Sequence, residues 1–405
     1  MKRKYLLIGS LALAQFWARA QGHDRVREET VKKTEIELVF NHYRQDGDHS
    51  AVTGGAGTEE LTVYGPMAKI KHFSGKYIVS YQLGSDIITS ASTDKIDFVE
   101  SSASRVDGRT YANVGYERII DKHKMNVYGG TGFSIESDYF SLGGNIGFTK
   151  QDKEMLKTYS VEFQYFNDDL RWGRLKGSGF KPQKLLYPAE LRHKEWYDVY
   201  RRMSYNLKLG YTRIINARNV LAIFPGFTYQ EGLLATTFHR VYFSDGSVVV
   251  EKLPQHRYKS AIALRLNTFA YGFVIFKNTV NGYSDSFGIS AISVDHETAF
   301  KIKPLLTLLA NARFYTQNGS PYFNKMGQHR GDEKFYTSDY DYSDFETYRI
   351  GTGLRYHPSK YLREKIKFNA LLIRYNFNYR TDGMKAHVFS LVIQAGFEKA
   401  KNHGF

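Results

Sequence analysis

Between Leu371 and Arg380 the chain alternates residue by residue. Leu371, Ile373, Tyr375, Phe377 and Tyr379 fall on one face, and Leu372, Arg374, Asn376, Asn378 and Arg380 on the other. A period of two marks an extended strand, whose side chains point to opposite faces in turn. The pattern returns from His387 to Phe397, where Phe389, Leu391, Ile393, Ala395 and Phe397 share one face. In a water-soluble sandwich such a face would cover a core. Here it repeats along most of the chain in segments of about ten residues, the length that crosses a bilayer as a tilted strand. The expectation is an all-β fold: a transmembrane antiparallel β-barrel of about 16 strands with a wet interior.

Composition agrees with this. The 405 residues include 31 Tyr, 28 Phe and 35 Gly but 8 Pro and no Cys. Tyrosine and glycine suit aromatic girdles and lumen walls. After the first twenty residues no apolar run is long enough for a membrane helix, which needs about 18 residues. The lack of cysteine removes a disulfide framework and a lipid-anchored thiol.

Residues 1–20 read as a secretory signal: a basic start at Lys2, Arg3 and Lys4, an apolar stretch from Tyr5 to Trp17, and Ala18-Arg19-Ala20 as the cleavage pattern. Residues 21–33 are charged and aperiodic, a short periplasmic lead-in, and 34–405 form the barrel. Strands are expected near Thr34, Leu61, Tyr77, Tyr111, Met125, Tyr139, Met155, Tyr205, Val220, Tyr258, Val274, Gly288, Leu305, Phe345, Lys367 and Lys385. Short connections (Ser74 to Lys76, Asp121 to Lys124, Gln151 to Glu154, Asn216 to Asn219, Tyr271-Gly272) alternate with long ones (Arg44 to Glu59, Ser85 to Arg109, Asn167 to Arg201, Glu231 to His256, Asn318 to Asp344). That rhythm predicts the outer membrane of a Gram-negative bacterium, with long loops outside and both termini periplasmic. A propeller would show the same strand density but a fixed blade period, which is absent.

If apolar positions face lipid, the lumen carries Glu117, Glu162 and Gln164, then Lys208, Arg265, Arg313, Arg349, Arg355 and Arg374. One wall is expected to be acidic and the other basic, a field that sorts solutes by charge. The plainer alternative is that these charges pair among themselves and stiffen the barrel.

Three loop tracts stand out. Phe238, His239 and Arg240 through Asp245-Gly246 to Val250 read as a hairpin running on above the membrane, with Asp245-Gly246 as its turn. His239 and His256 lack a serine elbow or a His-x-x-His spacing, so no catalytic or metal site is expected there. In the last long loop Asp339, Asp341 and Asp344 space oxygen as calcium prefers, but the central Gly and closing Glu of a calcium loop are missing. A loop folding over the pore or docking a partner is the better reading. The third tract, Asp168 to Arg202, mixes Arg171, Trp172, Arg174, Lys176, Lys181, Lys184, Arg192, His193 and Lys194 with aromatic residues. With a net charge of +15, it points to outer-membrane lipid and lipopolysaccharide rather than nucleic acid.

Four tracts carry a family resemblance: Ser85-Asp86-Ile87-Ile88-Thr89-Ser90-Ala91-Ser92; Phe238 to Phe243 with Asp245-Gly246 and Glu251-Lys252-Leu253-Pro254; Arg313-Phe314-Tyr315-Thr316-Gln317; and Tyr336-Thr337-Ser338-Asp339-Tyr340. From about Glu35 onward the chain resembles an exported family of unknown function common in Bacteroidetes-type bacteria. The resemblance implies an outer-membrane barrel, in some members encoded beside a small lipoprotein and a flavin transferase. The chain departs from that pattern after Val274, at Phe276-Lys277-Asn278-Thr279.

The functional expectation is a non-enzymatic barrel, either a channel or the membrane subunit of an envelope complex. The alternative is a closed scaffold whose outer loops dock a lipoprotein or another envelope protein. No cofactor is expected, since there is no Cys-x-x-Cys-His and no glycine-rich phosphate loop.

Overall fold

Sixteen long antiparallel strands close on themselves. In a computed structural model that describes residues 32–55, 57, 60–90, 106–136, 139–171, 199–237, 239–358, 360–363 and 366–398, they are β1 (Lys33–Asp46), β2 (Leu61–Ser74), β3 (Tyr77–Ser90), β4 (Val106–Ile120), β5 (Met125–Glu136), β6 (Tyr139–Gln151), β7 (Lys157–Asp169), β8 (Arg201–Asn216), β9 (Asn219–Gly232), β12 (His256–Ala270), β13 (Val274–Asp285), β14 (Ser290–Lys303), β15 (Leu306–Gln317), β16 (Phe345–Tyr356), β18 (Ile366–Arg380) and β19 (Lys385–Glu398). A small hairpin, β10 (Arg240–Tyr242) with β11 (Val248–Val250), stands apart, and β17 (Lys360–Arg363) extends the turn before β18. Each barrel strand pairs with its neighbour, and β1 pairs with β19 from Lys33 opposite Glu398 to Asp46 opposite Lys385. Closure leaves no unpaired edge, the condition a sheet must meet where no water is present to satisfy backbone groups.

Register carries the alternation around the barrel. Leu38 lies beside Ala68, Ala68 beside Leu83, Leu83 beside Ala112, and Ala112 beside Phe133. These residues form part of an outward apolar belt in which Leu83, Ile146 and Ile350 are 58%, 62% and 64% exposed. A belt of that extent is a liability in water and a fit in lipid. At the long-loop end Tyr165, Tyr205, Tyr229 and Tyr258 line up on adjacent strands with ring centroids 5.2, 5.9 and 4.9 Å apart. This aromatic row matches the girdle of a membrane interface. The fold is a transmembrane β-barrel of the outer-membrane type.

All sixteen expected strands are present, with two adjustments. Ser85–Ser90 belong to β3 and Val106–Tyr111 to β4, so both strands run further than the alternation alone indicated. Asp86 and Arg109 pair side by side there, with the Arg109 Nη1 3.9 Å from the carboxylate, which extends the ladder past the apolar stretch. The expected short turns all lie at one end, together with the start of β1 and the end of β19. The signal peptide, residues 21–31, Ala91, Ser92 and residues 172–198 of the basic loop lie outside the described residues.

Candidate functional site

The lumen holds two linked charge groups on the β13–β18 side. Asp295 on β14 takes Arg349 at 2.9 Å and Arg313 at 3.6 Å. One step along the same strand face, Glu297 takes Lys277 and Arg374, each at 2.9 Å. Arg265 on β12 reaches Thr279 at 3.4 Å, and Arg355 has no ion pair among the described residues. The side chains of Arg313, Asp295 and Arg349 are 27 to 31% exposed, so the interior is wetted rather than packed shut.

Asp295 and Glu297 were not among the expected lumen residues. The polar His296 and Thr298 on the opposite face of β14 bond to each other and to Asn278, which blurs the contrast between faces. The opposite wall is mixed as well: Glu162 stands beside Lys208 in register and accepts from Tyr128 at 3.0 Å and from Gln164. Glu117 accepts from Asn126 at 2.6 Å. The expectation of one acidic and one basic wall is therefore corrected: each wall carries both signs, and the cationic excess lies around Asp295 and Glu297.

Above this belt the long loops fold into a plug. Leu233, Leu234, Val250, Leu253, Phe287, Ile289 and Tyr342 make a buried core, with Tyr322 and Phe323 packed against it. A second cluster joins Val241 and Phe243 of the hairpin to Tyr336. Backbone bonds between Lys252 and Tyr336 run in both directions, and Ser244 N donates to His329 O at 2.9 Å. His329, fully buried, donates through Nε2 to Thr337 O at 3.1 Å and bonds through Nδ1 to the Glu333 carboxyl at 2.5 Å, so it is a strut of this core.

The plug reaches across the mouth. Gly54, in the connection from β1 to β2, comes so close to Tyr242 that an added Cβ would lie 2.7 Å from its ring. By strand order those two connections rise half a turn apart, with β2 to β9 between them one way and β12 to β19 and β1 the other.

The expected hairpin is present, and its turn is as read: Gly246 has φ +84°, and Asp245 accepts from the Ser247 amide at 2.9 Å and hydroxyl at 2.6 Å. Those two bonds hold the Asp245 carboxyl below the usual carboxylate range. The hairpin does not, however, continue barrel strands above the membrane. It forms its own sheet, with Arg240 buried and with Val241 and Val250 buried in clusters shared with Tyr336 and Tyr342 of the last long loop. Phe238 lies outside the described residues.

The three loop aspartates diverge. Asp344 is exposed, Asp341 pairs with Arg380 at 2.8 Å, and Asp339 is fully buried. Asp339 caps the turn at Tyr340–Tyr342 by accepting from Asp341 N, and its other oxygen lies 3.7 Å from His239 Nδ1. They make no calcium loop. His256 bonds to Tyr229 at 2.9 Å, away from His239. Next to this cluster, burial pushes the Tyr342 hydroxyl well above the ordinary tyrosine range. Arg257 opposes that shift, and the carboxylates of Glu251, Asp339 and Asp285 add to it.

A family model for proteins of unknown function, DUF3570, matches residues 89–387. The chain belongs to that family. The match covers the plug, the hairpin and the charge belt, and so carries the expected membership in a family without an assigned activity. No curated protein matches the sequence. Among solved structures, the chain is similar to a bacterial polysaccharide outer membrane secretin (8% identity, 91% of this chain and 98% of that one, TM-score 0.45). It is also similar to a BenF-like porin from Pseudomonas fluorescens (10%, 90% and 99%, TM-score 0.40) and to Pseudomonas aeruginosa OpdK with vanillate (8%, 91% and 99%, TM-score 0.40).

Proposed function

We propose that this DUF3570 protein is a non-catalytic outer-membrane channel for small anionic solutes, narrowed at its outer mouth by a folded plug. The observation that carries this reading is the belt around Asp295 and Glu297. There Arg265, Lys277, Arg313, Arg349, Arg355 and Arg374 share one side of a wetted lumen with those two carboxylates. Positive excess in a confined aqueous path raises the local concentration of anions and lowers that of cations. Pairing with Asp295 and Glu297 holds four of the cations in place, so the field is preorganised. In this reading the short turns and both termini face the periplasm, the apolar belt takes membrane lipid, and the exposed loop surface meets lipopolysaccharide.

Reconstitution in planar bilayers tests it. A small conductance with a reversal potential displaced toward anions under a salt gradient is expected, and removal of residues 319–343 raises the conductance. Cation preference, or a pore unchanged by that deletion, overturns it.

The crossing of the mouth favours a second reading, a closed scaffold that docks an envelope lipoprotein on its outer loops. In that case the chain passes no current with the plug in place and leaves the outer membrane in stoichiometric complex with a partner.

A further inference from the structure

We propose that His239, Glu251 and Asp339 bind one divalent transition-metal cation of the zinc type, which fastens the hairpin to the last long loop. The site lies in the plug and stands independently of what the lumen conducts. Nitrogen and oxygen ligand atoms of these three residues all lie within 4.8 Å of one another. His239 is 3% exposed, and Glu251 and Asp339 are fully buried.

Spacing is the first argument. His239 Nδ1 lies 3.8 Å from Glu251 Oε1 and 3.7 Å from Asp339 Oδ2. These separations are too long for hydrogen bonds. A tetrahedral cation about 2.0–2.2 Å from each ligand holds its ligands roughly 3.3–3.6 Å apart, so both separations lie within a few tenths of an ångström of those around a shared metal. The third edge, between the two carboxylates, lies within the same 4.8 Å and shortens when both turn inward onto the ion.

The imidazole is the second, independent argument. His239 Nδ1 is buried, points at both carboxylates, and has no hydrogen-bond partner among the described residues. A buried polar atom in that position is costly unless something binds it. One imidazole with two carboxylates is a donor set for zinc and its neighbours in the first transition row rather than for calcium, which takes six to eight oxygens.

The surroundings orient the ligands. Thr337 Oγ1 donates to Glu251 Oε1 at 2.6 Å, the Thr236 amide donates to Glu251 Oε2 at 2.5 Å, and the Asp341 amide donates to Asp339 Oδ1 at 2.9 Å. Such outer supports fix carboxylates in metal sites. Three protein ligands leave a fourth position for water.

The test uses the full-length chain purified from membranes in detergent, stripped with a chelator and titrated with zinc chloride. One zinc per chain is expected, and X-ray absorption should show one imidazole nitrogen and two carboxylate oxygens at about 2.0–2.2 Å. His239→Ala, Glu251→Gln and Asp339→Asn should each abolish uptake. Thr337→Val should weaken it about 10–100-fold while the barrel keeps its heat-modifiable mobility. Failure of the stripped wild-type chain to take up zinc, cobalt or manganese overturns the proposal. So does a metal shell with sulfur or without imidazole, or undiminished uptake by His239→Ala. Should a variant misfold, the absorption spectrum of the wild-type chain decides alone.

Discussion

Arg380 Nη1 donates to Asp341 Oδ1 at 2.8 Å, tying the end of a barrel strand to the turn at the base of the plug. The same guanidinium holds Asp382 in the β18–β19 turn, and Arg380 is only 4% exposed. One side chain thus couples the wall to the loops that reach across the mouth.

Removing that side chain takes its cation away from two mostly buried carboxylates. Breaking a buried pair from one side costs about 3–5 kcal/mol. Arg380→Ala should therefore loosen the plug and raise conductance in planar bilayers. The barrel, held by its closed ladder, should keep its resistance to detergent at room temperature. Asp341→Asn removes one charge and keeps the shape, so its effect should be smaller in the same direction.

Neutralising Arg349, Arg355 and Arg374 together should shift the reversal potential toward cations. Asp295→Asn with Glu297→Gln should shift it further toward anions, because the cations they hold then face the lumen unbalanced. If neither set moves the potential, the belt is a strut and carries no selectivity.

The barrel was legible because closure in lipid enforces strict alternation, and β18 and β19 show it almost without exception. The charge belt was half legible. Arg349 and Arg374 stand out opposite aromatic faces, whereas Asp295 and Glu297 hide beside His296 and Thr298, a polar outward pair that dilutes the pattern. The plug was not legible as a unit. His239, Glu251 and Asp339 lie on separate segments whose meeting depends on how the loops fold, and no local period records that. The last long loop alone reads as one that folds over the pore, but nothing in it or in the hairpin tract announces a shared core, although Val241, Phe287 and Thr337 are fully buried.

Tyr342 gives the plug a dependence on alkaline pH. Its hydroxyl titrates above the ordinary value of about 10 in the folded protein, chiefly because burial disfavours the phenolate. A group whose value rises on folding contributes fully below its unfolded value and loses that contribution as pH climbs through the folded one. Conductance should be constant up to about pH 10 and rise above it, while Tyr342→Phe should flatten the rise. Tyrosinate absorbance should show most of the other tyrosines ionising first.

Two glycines separate backbone strain from plug closure. Gly54 and Gly246 both have positive φ, +70° and +84°, so alanine at either costs about 1–2 kcal/mol from conformation alone. They differ in what a Cβ would meet. At Gly246 it would meet open space, whereas at Gly54 it would press on the Tyr242 ring at 2.7 Å and on the Arg240 carbonyl oxygen at 3.0 Å. The β1–β2 connection must then retreat from the hairpin, which is anchored half a turn away around the barrel. Gly54→Ala should raise conductance and expose the β1–β2 connection to protease, while Gly246→Ala should do neither. If both variants behave alike, strain in the hairpin and not contact across the mouth sets the opening, and the plug is a local ornament of one side of the barrel.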